Sequence, residues 1–148
     1  MRIGIPLAAL ALALAPLAVV RPVRVAGESM APALKPGQVR WLLRSWAAGD
    51  PERFQVWLVD SPDGPALKRV VGLPGEVLDQ RRGDLWLNEV RLDEPHVDFV
   101  ERGDAGPWTC GSGYLVLGDN RPESRDGHPP APGSRCHRSR GSGYLVLG

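Results

Sequence analysis

The chain carries sixteen arginines and only two lysines, Lys35 and Lys68, so lysine is used sparingly where arginine is the default base. The difference is chemical: a guanidinium keeps its proton inside a protein, whereas a buried ammonium can release one. Lys68 opens the string KRVVGLPGE, residues 68–76, and thirty-nine positions earlier Ser29 sits in GESMAP, residues 27–32. A neutral lysine amine can take the proton of a serine hydroxyl and turn it into a nucleophile. The two residues together suit a Ser/Lys hydrolase with no histidine in its mechanism. A plainer reading makes Lys68 a charge on an edge strand, and spacing alone leaves both readings open.

Other chemistries find less support. A net charge of +1 with no basic run gives no sign of a nucleic-acid partner. His96, His128 and His137 form no ligand pattern with Cys110 and Cys136, so neither a metal nor a cofactor is expected. The two cysteines lack CxxC spacing, and a disulfide stays open if the domain lies outside the cytoplasm. A Ser-His-Asp arrangement would have to use His96 with Asp98, and nothing in the sequence brings that pair to Ser29.

The elements that must position Ser29 and Lys68 begin with an apolar segment, IGIPLAALALALAPLAVV, residues 3–20. Its length sits at the lower limit for a membrane-spanning helix. The small-x-small site Ala13-Leu14-Ala15 is followed at once by Pro16, which favours an uncleaved anchor over a removed signal peptide. Arg21 and Arg24 outnumber Arg2, and by the positive-inside rule that puts the C-terminal side in the cytoplasm.

Beyond the anchor the pattern has period two. Val39, Trp41 and Leu43 alternate, as do Phe54, Val56 and Leu58, and residues 66–73, 84–92 and 114–117 are also strand-like. Clusters of Gly, Pro and Asp at 47–51, 60–65, 103–107 and 127–133 separate them. Gly 18 and Pro 15 in 148 residues fit a loop-rich β protein, and no helical stripe of useful length follows residue 21. An antiparallel barrel or coiled sheet is the expected architecture. In the strand around Lys68, Ala66, Lys68 and Val70 share one face.

Four strings in order resemble those of type I (leader) signal peptidases, membrane-anchored Ser/Lys proteases, over residues 1–128. GESMAPAL, residues 27–34, is similar to the nucleophile box, which makes Ser29 the nucleophile. KRVVGLPGE is similar to the general-base box, with Lys68 the base. GDLWLNEVRLDEP, residues 83–95, resembles the connecting strand and turn, and YLVLGDNRPESRD, residues 114–126, the box that begins GDNR. The resemblance implies a mainly β, barrel-like fold of coiled antiparallel sheets behind one N-terminal transmembrane helix. It implies that Ser124 orients the lysine, that Asp126 pairs with Arg69, and that the Ser29 backbone N–H is an oxyanion donor. Gly27 stands where some members carry a hydroxyl residue as second donor. Leu34, Leu67, Val116 and Gly118 match positions lining shallow pockets for small side chains, though all four would also suit ordinary core.

The implied activity removes signal peptides from exported preproteins after a small-x-small motif. Preproteins and the lipid bilayer are the implied partners. The catalytic domain would lie outside the cytoplasm on a single-pass anchor in the cytoplasmic membrane, against the arginine count. The short step from the apolar run to Ser29 keeps the chemistry near the bilayer surface, in keeping with that topology.

The end of the chain departs from the pattern. After Ser124-Arg125-Asp126 the family expects serine and arginine, then glycine and a final strand; here Gly127, His128 and PPAPGSRCHRSR follow. Residues 141–148, GSGYLVLG, then repeat residues 111–118 letter for letter. The expected division is a membrane anchor over 1–21, a peptidase catalytic domain over 22–127 and an atypical, disordered tail over 128–148. The copied octapeptide would either add a strand or remain an exposed apolar end. The tail keeps two further readings open: a catalytically impaired or truncated relative, and a dedicated pilin or conjugation maturation peptidase. An autoproteolytic repressor of the same Ser/Lys class does not fit, since the chain opens on an anchor and carries no DNA-binding helix pair.

Overall fold

The computed structural model describes residues 19–61, 64–98, 103–124 and 143–148. The expected anchor lies outside that set, apart from its last residues. Val20 and Arg21, placed in the anchor by the sequence, instead begin strand β1 (Val20–Arg24). No helix among the described residues is long and apolar enough to cross a membrane.

Two antiparallel sheets make up the described fold. The larger has the order β1-β2-β10-β3-β4-β9, with β2 (Val39–Arg44), β3 (Val56–Ser61), β4 (Gly64–Gly72), β9 (Leu115–Leu117) and β10 (Tyr144–Leu147). The smaller has the order β7-β6-β5-β8, with β5 (Val77–Arg81), β6 (Asp84–Leu87), β7 (Val90–Arg91) and β8 (Ala105–Thr109). One helical turn, α1 (Ser45–Ala48), follows β2. The mainly β expectation holds, with antiparallel strands arranged in two sheets among the described residues.

The connections follow local chemistry. Leu73-Pro74-Gly75-Glu76 closes a turn through Glu76 N–H to Leu73 C=O (3.1 Å), with Gly75 at φ 85°. Proline at the second position and a left-handed glycine at the third are what a type II turn requires. That turn carries the chain from β4 into the second sheet. The stretch 84–92, expected as one strand, is a hairpin of β6 and β7 folded at Asn88 and Glu89, both at positive φ. Such two-residue loops match the twist of the strands they join.

Two strands escaped the period-two pattern. β5 has only Leu78 fully buried, so it shows no apolar alternation. β8 lies across a Gly/Pro cluster expected to be a break; its Pro107 is exposed and β8 is a sheet edge, where proline costs no ladder bond. In β3 the buried residues are Trp57 and Val59, the opposite face from the expected Val56 and Leu58, and Phe54 lies outside the strand at φ 69°.

The main core lies between the sheets. Val71, Leu115 and Leu117 of the first pack with Leu78, Leu85 and Trp108 of the second. A smaller cluster of Val25, Met30 and Leu34, with Val56 and Leu67 against it, supports the segment that carries Ser29.

The last six residues are not disordered. β10 sits between β2 and β3, pairing Leu145 with Leu43 on one side and with Trp57 on the other. The copied octapeptide therefore adds a strand, the first of the two expected alternatives. Asp126, His128, Cys136 and the rest of 125–142 lie outside the described residues.

Candidate active site

Lys68 is in the middle of β4, directly opposite Trp57 of β3. Strand alternation turns it inward together with Val70, leaving it 3% exposed. The other lysine, Lys35, is exposed. Burying an ammonium-bearing side chain costs free energy unless a polar partner meets it. The partner is Ser124, whose Oγ lies 2.6 Å from Lys68 Nζ and is itself buried.

Ser124 closes the loop 118–124, the start of the GDNR string, and three other residues of that loop hold it in place. Asp119, 1% exposed, takes both arms of the Arg69 guanidinium, Nε at 2.8 Å and Nη2 at 2.6 Å. A bidentate fork of this kind fixes orientation as well as distance. Arg69 also donates through Nη1 to Phe54 C=O at 2.6 Å. Asn120 donates its backbone N–H to Ser29 C=O (3.0 Å) and its side-chain amide to Glu28 C=O (3.3 Å). Arg121 is buried and donates Nε to Gly118 C=O at 3.0 Å.

Gly118 shows how tightly the parts meet. A Cβ at that position would lie 2.6 Å from both Ser29 C=O and Ser124 Oγ. The Ser29 backbone and the Lys68–Ser124 pair are thus neighbours across one glycine. Ser29 is half-buried, its hydroxyl-bearing segment standing on the Met30–Leu34 cluster.

The remaining expected residues distribute as follows. Leu34 and Leu67 share the cluster beneath Ser29, whereas Val116 packs with Trp57, Val59 and Val70. Gly27 is exposed and open around its missing Cβ. Asp126, expected to pair with Arg69, lies outside the described residues; among the described residues Arg69 meets the Asp119 carboxylate. His96 packs against Phe54 at 5.3 Å between ring centroids, and the carboxylate beside it is Glu94 at 3.7 Å rather than Asp98. Among the described residues no group of His, Cys, Asp and Glu could hold a metal ion.

Sequence reasoning passed over Asp119, Asn120, Arg121 and Glu94. All four lie inside quoted strings, but a string does not say which partner each letter meets. Glu94 is 27 positions before Arg121, with only the fold to bring them together.

Comparison with known proteins identifies the family. Residues 2–133 match the family described as signal peptidase, peptidase S26. The signal peptidase IB of Staphylococcus aureus is 29% identical over 129 residues, covering 73% of this chain and 68% of that protein. A probable signal peptidase I-2 of Synechocystis sp. is 32% identical over 93 residues, 57% of this chain and 43% of that protein. The chain belongs to the type I signal peptidases of peptidase family S26. It is accordingly a peptidase with the mainly β, antiparallel fold described above.

Proposed function

We propose that this chain is a membrane-bound serine endopeptidase that removes signal peptides from exported preproteins by a Ser29/Lys68 dyad. The observation that carries the reading is the buried Lys68 amine, 2.6 Å from Ser124 Oγ, with the Ser29 backbone one glycine away.

In this mechanism Ser29 Oγ attacks the scissile carbonyl as Lys68 Nζ accepts its proton. Ser124 holds the amine in place by its hydrogen bond. The Ser29 backbone N–H stabilises the developing oxyanion, with Gly27 beside it as the position of a second donor. Protonated Lys68 then gives its proton to the leaving amine, and the C–N bond breaks to leave an acyl-enzyme. Water, deprotonated by the neutral Lys68, hydrolyses that ester and restores Ser29. Leu34, Leu67, Val116 and Gly118 shape shallow pockets that admit small side chains ahead of the scissile bond, which gives cleavage after a small-x-small motif. The family resemblance assigns Asp126 as a further structural partner of Arg69.

The apolar residues ahead of β1 anchor the chain in the cytoplasmic membrane, with the peptidase domain on the extracytoplasmic side. They lead straight into β1, whose Pro22 pairs with Trp41 of β2. Trp41 and Trp46 are 50% and 70% exposed on β2 and α1, and indoles favour the headgroup level of a bilayer. The seat of β10 in the sheet favours a working enzyme over an impaired or truncated relative.

The test is cleavage of a preprotein by the full-length chain in liposomes, beside Lys68→Ala and Ser29→Ala. Each substitution is expected to lower the rate by more than about a thousandfold. Retained cleavage by Lys68→Ala would remove the dyad and point to a histidine-dependent serine enzyme instead.

A further inference from the structure

We infer that Arg121 and Glu94 form a positioning pair for the active site, an inference that rests on the peptidase reading above. Arg121 is 5% exposed, yet it belongs to neither the dyad nor its hydrogen-bonded serine. Its Nη2 meets the Glu94 carboxylate, and its Nε donates to Gly118 C=O at 3.0 Å. Glu94 sits in the turn after β7, so the pair ties the second sheet to the loop that follows β9.

What that loop holds decides the role. Gly118 lies against Ser29 C=O and Ser124 Oγ. Asn120, next to Arg121, donates to Ser29 C=O and accepts from Ser124 N–H at 2.9 Å. Arg121 therefore fixes a short loop whose two ends touch the nucleophile's segment and the base's partner. It touches neither reacting group, so it acts through Gly118 and Asn120. Asp119 on Arg69 fixes the same loop from the β4 side. The Arg121–Glu94 pair supplies the opposing tether, and a loop held from one side only would let Ser124 drift from Lys68.

Removing a buried partner leaves the other charge uncompensated, so the single substitutions are informative only with a stability control. Arg121→Gln, Glu94→Gln, the double variant and Arg121→Lys are compared in the full chain. Arg81→Gln, which breaks an exposed pair with Glu89, serves as the charge control.

Arg121→Gln is expected to lower kcat on preprotein by about 10–100-fold with KM held within about twofold, since misplaced groups slow chemistry more than binding. The double variant should be no slower than Arg121→Gln, the mark of two residues acting as one unit. Arg121→Lys keeps the charge toward Glu94 without the planar fork and should fall between. Hydrogen exchange gives an arm independent of activity. The Asn120 and Ser124 amides should exchange about tenfold faster in Arg121→Gln, with β5 and β8 amides unchanged.

Wild-type kcat in Arg121→Gln, or unaltered exchange at Asn120 and Ser124, would overturn the inference. So would loss of protection across β5 and β8 as well, which would make the pair a global stabiliser. If the wild-type chain cleaves no preprotein, the functional reading falls while the exchange arm still decides the role of Arg121.

Discussion

The same eight letters, GSGYLVLG, occur at 111–118 and 141–148, and the two copies do different work. In the first, β9 is a sheet edge among the described residues, paired with β4, yet Leu115 and Leu117 are 3% and 4% exposed in the main core. In the second, β10 is an interior strand paired on both sides, yet Leu147 is 37% exposed and Leu145 only half-buried. Central position in a hydrogen-bonded ladder and burial of side chains are separate properties. Identical local propensity cannot produce that difference, so what lies against each copy must. The first copy faces a second sheet; the second closes the gap between β2 and β3.

The end glycines give the sharpest contrast. Gly118 has Ser29 C=O and Ser124 Oγ at 2.6 Å from a notional Cβ, whereas nothing lies within 4 Å of one at Gly148. Neither neighbour of Gly118 is the loose end of a flexible chain, so Gly118→Ala must move the loop. It is expected to lower cleavage by about a hundredfold or more, by the cost of an ångström-scale misplacement. Gly148→Ala should leave it within about twofold. Preprotein cleavage by the two variants checks this, and equal rates would mean the two loops are interchangeable after all.

The leucines test the core half of the comparison. Leu117→Ala opens a cavity between the sheets and is expected to cost about 2–5 kcal/mol. Leu147→Ala removes a side chain already in contact with water and should stay within about 0.5 kcal/mol. Denaturant unfolding of each variant measures both. A cost at Leu147 rivalling that at Leu117 would show that β10 is buried by something absent from the described residues.

These contrasts also mark what the sequence could say. Strands β2, β4 and β9 were legible as short β-rich runs, but in β2 the expected face was the wrong one: Val39 and Trp41 are exposed and Leu42 is buried. Period two placed Lys68 on a face with Ala66 and Val70 without saying whether that face is inward. β5 and β8 were not legible, since one lacks alternation and the other contains Gly106 and Pro107. Val20 read as the end of an apolar run and Arg21 as its flank because hydropathy does not distinguish a lipid-facing helix from an edge strand. Ser29, Lys68 and Ser124 stood out by type and string. Asp119 on Arg69 and Glu94 on Arg121 did not, because ion pairs spanning 50 and 27 positions are made by topology.

The tyrosines carry the smallest expected effect and the most local one. Tyr114 packs against the cluster of Trp57, Val59 and Val70, and burial pushes its phenol above the ordinary 10.0, with the Asp50 charge adding to the shift. Tyr144 lies instead beneath the Arg21 guanidinium, 4.1 Å from its ring centroid. The neutral Tyr114 phenol is the form the fold prefers, so its folded value lies above the unfolded one. Its contribution to stability is therefore complete below about pH 10 and is lost as pH rises through the higher folded value. Absorbance titration of Tyr144→Phe isolates Tyr114 and should give a phenolate midpoint above 10.0. Tyr114→Phe should flatten the fall of stability with pH in that alkaline window, because the group that ionises on unfolding is gone. A midpoint at or below the ordinary value would mean that the first copy is as open to water as the second. The difference between the slots would then rest on the leucines and Gly118 alone.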